Sequence, residues 1–188
     1  MRYRLATLDD SAKLLAIYSH YIDTPITFEC SLPSKEEFEH RIMSIGAFYP
    51  YIVVEDDEAI LGYAYAHRHM QREAYQWNAE FSIYLSPTAT SMGLGTQLAK
   101  KVLAILRLQG IQKVTSGITQ PNEKSDGLHA KLGFKLVGTY SKAGYKGGLW
   151  HDVSWFEKEL GSHPSEPQPP VSIKALDTKK VKEILNDQ

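Results

Sequence analysis

"SMGLGTQLAK", residues 91–100, sets two glycines, Gly93 and Gly95, one residue apart and directly ahead of a run of helix formers. Glycine adopts backbone angles that other residues avoid, and without a Cβ it lets another group come close. The first turn of a helix carries unsatisfied N–H groups and the positive end of the helix dipole. Together these make an anion site, most often for phosphate. A tight strand-to-helix turn with no ligand would use the same residues, and so short a glycine motif does not separate the two readings.

The flanking segments place the stretch. Before it, "WNAEFSIYL" (77–85) alternates as a strand. After it, Leu94, Leu98, Val102, Ile105 and Leu106 give an amphipathic helix that Gly110 ends. "QKVTSGIT" (112–119) is then a further strand. Strand, loop, helix and strand in this order form a crossover unit, so the two strands run parallel.

Further out, "RYRLA" reads as a first strand, and Leu14, Ile17, Tyr18 and Tyr21 mark one face of a first helix. Ser34 and Glu37 have capping-box spacing ahead of a second helix with Phe38, Ile42 and Ile45 as its stripe. "YIVVE" and "ILGYAYAHR" form a hairpin around Asp56-Asp57-Glu58. "PNEKSDGLHAKLG" is a short helix with Asn122 as N-cap and Gly133 at its end, and two strands follow. The pattern is α/β, with a central mixed, mostly antiparallel twisted sheet flanked by helices over residues 1–160. After Leu160, "GSHPSEPQPP" has four prolines in ten residues and reads as extended linker. Val181, Ile184 and Leu185 give the last helix an apolar face too small to fold alone, so residues 161–188 either dock or fray. The body is expected to fold without this tail.

The chain has 188 residues and a net charge of -1, so nothing in its charge points to nucleic acid or to a membrane surface. No apolar run approaches a membrane span, and the N-terminus has no signal-peptide core. The single cysteine, Cys30, excludes an internal disulfide, fits a cytoplasmic protein and is expected to be half-buried. No metal is expected.

Two rows of side chains carry chemistry. Along 77–85, Ala79, Phe81, Ile83 and Leu85 face one way, and Asn78, Glu80, Ser82 and Tyr84 the other. On an edge strand the polar row would simply face water. In a central strand leading into an anion loop, its carboxylate lines a cleft, where Glu80 can act as a general base. Asn122, Ser125 and His129 fall about one helical turn apart on one face, with Leu128 and Leu132 on another.

These residues, in this order, resemble the GNAT superfamily of N-acetyltransferases, and within it the phosphinothricin/methionine sulfoximine acetyltransferase group. The resemblance rests on "TFE" (27–29), "GYAYA" (62–66), "REAYQW" (72–77), the strand around Glu80, "GLG" (93–95), "PNEKSDGLHAKLGF" (121–134) and "GYKGGLWHDVSWF" (144–156). It spans residues 2–160 and leaves the tail outside.

The resemblance implies an acetyl-CoA site. Its pyrophosphate would lie on the loop of Thr90, Ser91, Met92, Gly93, Leu94, Gly95 and Thr96, and its pantetheine arm along Ser82, Ile83, Tyr84 and Leu85. Asn122 and Ser125 would stand beside the arm. It also implies catalysis by Glu80, with His129 sharing acid or base duties, and an acceptor pocket near Phe28, Glu29 and Arg72. The implied acceptor is a small compound with a free α-amino group, and the implied assembly is a homodimer. Two positions depart from the pattern: Thr90 stands where Gln or Arg is usual, and Leu149 where a basic residue is common. A peptide or protein N-terminal acetyltransferase and a non-catalytic acetyl-CoA sensor are the rival functions.

Overall fold

The computed structural model describes residues 1–90 and 92–187; Ser91, in the glycine loop, lies outside the described residues. β1 (Arg2–Leu5) leads into α1 (Ser11–Ile22), which buries Leu14, Ile17 and Tyr18. α2 (Lys35–Gly46) starts at Ser34, whose hydroxyl accepts the Glu37 N–H at 3.1 Å, and buries Phe38 and Ile42. β2 (Tyr51–Glu55) and β3 (Ile60–Arg68) form the expected hairpin. Its turn is closed by the Asp56 carboxylate, which accepts the N–H groups of Glu58 and Ala59 at 2.9 and 2.8 Å. β4 (Asn78–Leu85), α3 (Leu94–Leu108) and β5 (Lys113–Thr119) make the crossover unit. α4 (Glu123–Lys131), β6 (Lys135–Lys146), β7 (Leu149–Glu159) and α5 (Thr178–Asn186) complete the chain. Gly110 and Gly133 take φ of 89° and 79° just past α3 and α4, the left-handed turn that glycine tolerates at a helix end.

The seven strands form one sheet in the order β1-β2-β3-β4-β5-β7-β6. β4 and β5 are parallel, and the other pairs are antiparallel. The mixed, mostly antiparallel sheet read from the sequence is therefore present. Helices cover both faces, which is why β2 reads as an unbroken apolar run. Tyr51 and Val53 pack under α1 and α2 with Tyr18, Phe38 and Tyr63. Ile52 and Val54 pack on the opposite face with Leu98, Val102 and Leu106 of α3.

One irregularity positions the site. β4 and β5 pair only from Asn78 opposite Lys113 to Glu80 opposite Thr115. β4 stays paired with β3 as far as Leu85, and β5 with β7 as far as Thr119. The two central strands therefore part after Glu80, leaving β4 with an open edge inside the sheet. The Ser116 hydroxyl reaches across the gap to the Phe81 carbonyl at 3.2 Å.

The composition change at Leu160 is not where packing ends. Ile173, Val181 and Leu185 are buried in the same core cluster as α3. The buried Gln109 side chain donates to the carbonyls of Phe48 and Val171 at 2.7 and 2.8 Å. Trp77 Nε1 donates to the Gln168 carbonyl at 2.9 Å. The Lys101 ammonium donates to the carbonyls of Ile184 and Asp187 at the C-terminus of α5, at 2.9 and 2.6 Å, where a cation suits the helix dipole. Burial lowers the Lys101 pKa. Cys30, expected half-buried, is exposed, because residues 28–32 run over the surface.

Candidate active site

Gly93 is the N-cap of α3, with φ at +78°, and a Cβ built there would meet no atom within 4 Å. The glycine serves both purposes read from the sequence: it makes the left-handed turn and leaves the approach open. The N–H groups of Thr96 and Gln97 bond back to the Gly93 carbonyl at 3.1 and 3.3 Å. Those earlier in the first turn have no intrahelical acceptor. Beside them lies a cavity of about 390 Å³, bordered by Ile83, Leu85, Thr90, Gly93, Gly95 and Thr96 on one side and by Asn122, Ser125 and Leu128 of α4 on the other. A smaller cavity of about 70 Å³ shares Ile83, Asn122 and Ser125 with it and enters the parting between β4 and β5, reaching Ser82, Tyr84, Gly117 and His129. A long, narrow ligand with an anionic end fits this shape.

The loop side chains differ in use. Leu94 is buried in the core, while Met92 is 55% exposed. The Thr90 hydroxyl donates to the Pro87 carbonyl at 3.1 Å, which fixes the turn. Lys124 and Lys131, not singled out from the sequence, line the cavity and put two cations beside it. Their seven-residue spacing, two turns of helix, was the available signal. Tyr21, on the α1 face marked from the sequence, donates its hydroxyl to the Leu85 carbonyl at 2.6 Å and accepts the Leu85 N–H at 3.2 Å, capping the strand where the cavity begins. Gly93→Val is expected to weaken acetyl-CoA binding at least tenfold by calorimetry, with Thr90→Ala close to wild type. Equal affinity of Gly93→Val and wild type would remove the loop from the binding site.

Glu80 and Thr115 form the last pair before the strands part. The Glu80 side chain is 24% exposed, and its Oε2 lies 3.2 Å from His69 Nδ1. Along the same face Ser82 stands opposite Tyr65 of β3, and Tyr84 stands edge-on to Tyr18 and Tyr21 at 5.0 and 5.1 Å. The polar row read from alternation is thus a wall of hydroxyls with one carboxylate at its end.

His129 lies on the other face. Its ring packs against Phe134 at 4.9 Å, Phe156 at 5.9 Å and Phe81 at 6.0 Å. Phe81 and Glu80 are consecutive in a strand and point to opposite sides, so the structure does not bring His129 and Glu80 together on one face. His129 does align with Ser125 and Asn122 as the spacing indicated. Its Nδ1 donates to the Ser125 carbonyl at 2.8 Å, and the Asn122 side chain caps α4 through the Ser125 N–H at 3.2 Å. Nε2 is then a bare acceptor, buried without a hydrogen-bond partner among the described residues.

Burial lowers the His129 pKa below its ordinary 6.5. As pH falls through the ordinary value, the unfolded chain takes up the proton first, so stability is lost on going down and levels off below the folded-state pKa. His129→Gln is expected to reduce the drop in melting temperature between pH 7.5 and 5.5. An undiminished drop would show that other groups control acid stability.

A family model described as an acetyltransferase (GNAT) domain matches residues 3–155. The chain belongs to the GNAT acetyltransferase family. A phosphinothricin N-acetyltransferase of Streptomyces viridochromogenes is 34% identical over 167 residues, covering 88% of this chain and 91% of that one. An L-methionine sulfoximine/L-methionine sulfone acetyltransferase of Pseudomonas paraeruginosa is 32% identical over 120 residues, 63% of this chain and 70% of the relative. The crystal structure of a phosphinothricin acetyltransferase from Sinorhizobium meliloti in complex with AcCoA superposes with a TM-score of 0.86 at 32% identity, covering 93% of this chain and 96% of that one.

On this GNAT fold, the residues read as an acceptor pocket separate into two groups. Phe28 and Glu29 are held together. The Lys146 ammonium donates to the Thr27 carbonyl at 2.6 Å, and the Phe28 ring lies against Gly144, where a Cβ would collide with it. Glu29 Oε1 pairs with Arg41 at 2.7 Å, while its Oε2 is buried without a partner. Arg72 is exposed at the start of a 3-10 turn, and none of its described contacts reaches Phe28 or Glu29.

Proposed function

We propose that this chain transfers an acetyl group from acetyl-CoA to the primary amine of a small amino-acid-like compound of the phosphinothricin or methionine sulfoximine type. The observation that carries the reading is the parting of β4 and β5, with a cavity running into it from the glycine-capped N-terminus of α3. When bound, acetyl-CoA supplies a thioester carbonyl open to attack by an amine. The first-turn N–H groups of α3 hold its phosphates, with Lys124 and Lys131 adding charge. The open edge of β4 from Ser82 to Tyr84 pairs with its arm, since Tyr21 already holds both backbone groups of Leu85, and Asn122 and Ser125 border the same space. The backbone N–H near Ile83 is a donor for a carbonyl oxygen that gains negative charge.

A protonated amine does not attack, so a base must take its proton. Glu80 is that base, acting through water. His129, neutral and hydrogen-bonded through Nδ1, has only an acceptor left, so its share is confined to proton acceptance at Nε2. Ser125 is then the donor for a departing thiolate. Glu29, with one oxygen unpaired, and Phe28 receive the acceptor, and the Arg72 guanidinium is the fork proposed for its carboxylate.

Thiol release from acetyl-CoA over a panel of amines tests the reading. Methionine sulfoximine and phosphinothricin are expected to exceed peptides with free N-termini; the reverse order would move the protein to N-terminal acetylation, and tight binding without release to a sensor. A cytoplasmic homodimer is part of the proposal. β6 is an open sheet edge, and Leu136, Val137, Tyr140, Tyr145, Leu149 and Trp150 on the β6–β7 hairpin are each more than half exposed. Light scattering is expected to give twice the chain mass, and a monomer at micromolar concentration would refute that assembly.

A further inference from the structure

We infer that His69 is a positioning residue for acetyl transfer, holding one oxygen of Glu80 so that the other is presented to the acceptor amine. The inference rests on the reading of Glu80 as the base. His69 lies one residue beyond β3, and its backbone N–H reaches the Asn78 carbonyl at 3.5 Å, at the start of β4. Its Nδ1 is 3.2 Å from Glu80 Oε2 and 3.1 Å from Thr115 Oγ1. The Thr115 hydroxyl has its own acceptor, the Ala79 carbonyl at 3.4 Å. Both neighbours of Nδ1 therefore accept, which assigns the ring hydrogen to Nδ1. On another side the His69 ring meets Trp155 of β7 edge to face at 5.6 Å.

The cluster joins the ends or middles of four strands at the point where β4 and β5 part. Thr115 and Trp155 orient the imidazole, and the imidazole orients the carboxylate. A base steered by a second hydrogen-bonding group, itself fixed by a third, is the arrangement that active sites use to hold a proton acceptor in one geometry. The side chains are 14% exposed at His69 and 24% at Glu80, so the pair is enclosed and still reachable. Oε1 of Glu80 has no partner among the described residues, and it is the oxygen left for the incoming proton. The proton moves from the amine nitrogen, through water, to Glu80 Oε1, and leaves for solvent before the next turnover; His69 keeps its own proton throughout.

The test is steady-state thiol release with acetyl-CoA and methionine sulfoximine for His69→Phe, His69→Asn, Glu80→Gln and the double variant His69→Phe/Glu80→Gln. Phenylalanine keeps the ring against Trp155 and removes the N–H; asparagine places an amide N–H close to where Nδ1 stands. His69→Phe is expected to lower kcat by about 10- to 100-fold, the scale of a misplaced catalytic group, with KM for acetyl-CoA and the melting temperature unchanged. His69→Asn restores most of the rate, and in the Glu80→Gln background His69→Phe changes nothing further. If Glu80→Gln is slow while His69→Phe is as fast as wild type, the base stands and the positioning role falls. An equal loss from His69→Phe in both backgrounds overturns it as well, since His69 would then act apart from Glu80. If Glu80→Gln itself turns over within a few-fold of wild type, the base reading fails and this inference with it.

Discussion

Glu80→Gln is expected to lower acetyl transfer by about 10²- to 10⁴-fold at neutral pH, the usual contribution of a general base. Acetyl-CoA affinity and melting temperature should stay near wild type. The amide keeps the length of the side chain, and its carbonyl oxygen still accepts from His69 Nδ1, so the hydrogen bond at 3.2 Å survives. Glu80 lines neither cavity beside the glycine loop, so cofactor binding has no direct need of its charge. What the variant lacks is a site for the amine's proton. Much of the loss should return at high pH, where the acceptor is already unprotonated. A rate within a few-fold of wild type sinks the assignment. His129 would then be the next candidate, although it stands across the sheet among three phenylalanines.

What was legible in the sequence follows from how local each signal is. Period and capping are local, so β4, α3, β5 and α4 and their glycine ends could be read directly. The polar row along β4 was equally clear, since alternation needs only one strand. The parting of β4 and β5 was not legible, because nothing in either strand says where its partner stops pairing. His69 was missed for the same reason: it gains meaning only where it meets Thr115 and Glu80 from other strands. The Asn122–Ser125–His129 stripe was read correctly as a stripe, but no helix period reveals which face of the sheet the helix covers. For the tail, composition left docking and fraying open. Proline-rich sequence predicts extended backbone, and extended backbone can still bond to a core: the Val171 N–H donates to the Gln109 carbonyl at 2.9 Å, and the Ile173 N–H to the Phe48 carbonyl at 2.8 Å.

Truncation after Leu160 is therefore expected to destabilise the protein markedly, where composition alone would leave the body intact. Ile173, Val181 and Leu185 are each less than 10% exposed, and burial of such a side chain stabilises by about 1.5–3 kcal/mol. Ordering the segment costs backbone entropy that offsets much of this gain. The cut also removes the Val171 acceptor of Gln109, 1% exposed, and both carbonyls that Lys101 caps, leaving water to replace them. A net loss of roughly 2–4 kcal/mol corresponds to a fall of about 5–15 °C in melting temperature for a chain of this size. The active-site cavity lies at the N-terminal end of α3, whereas the segment before α5 ties to Gln109, just past its C-terminal end. Activity at low temperature should survive the cut even as the melt shifts. Val181→Asp in the full chain should reproduce a large part of the shift by undocking α5 without shortening the chain. A truncated protein that melts within a degree or two of the full chain would show that the energetic boundary does fall at Leu160, and that docking of the tail adds no net stability.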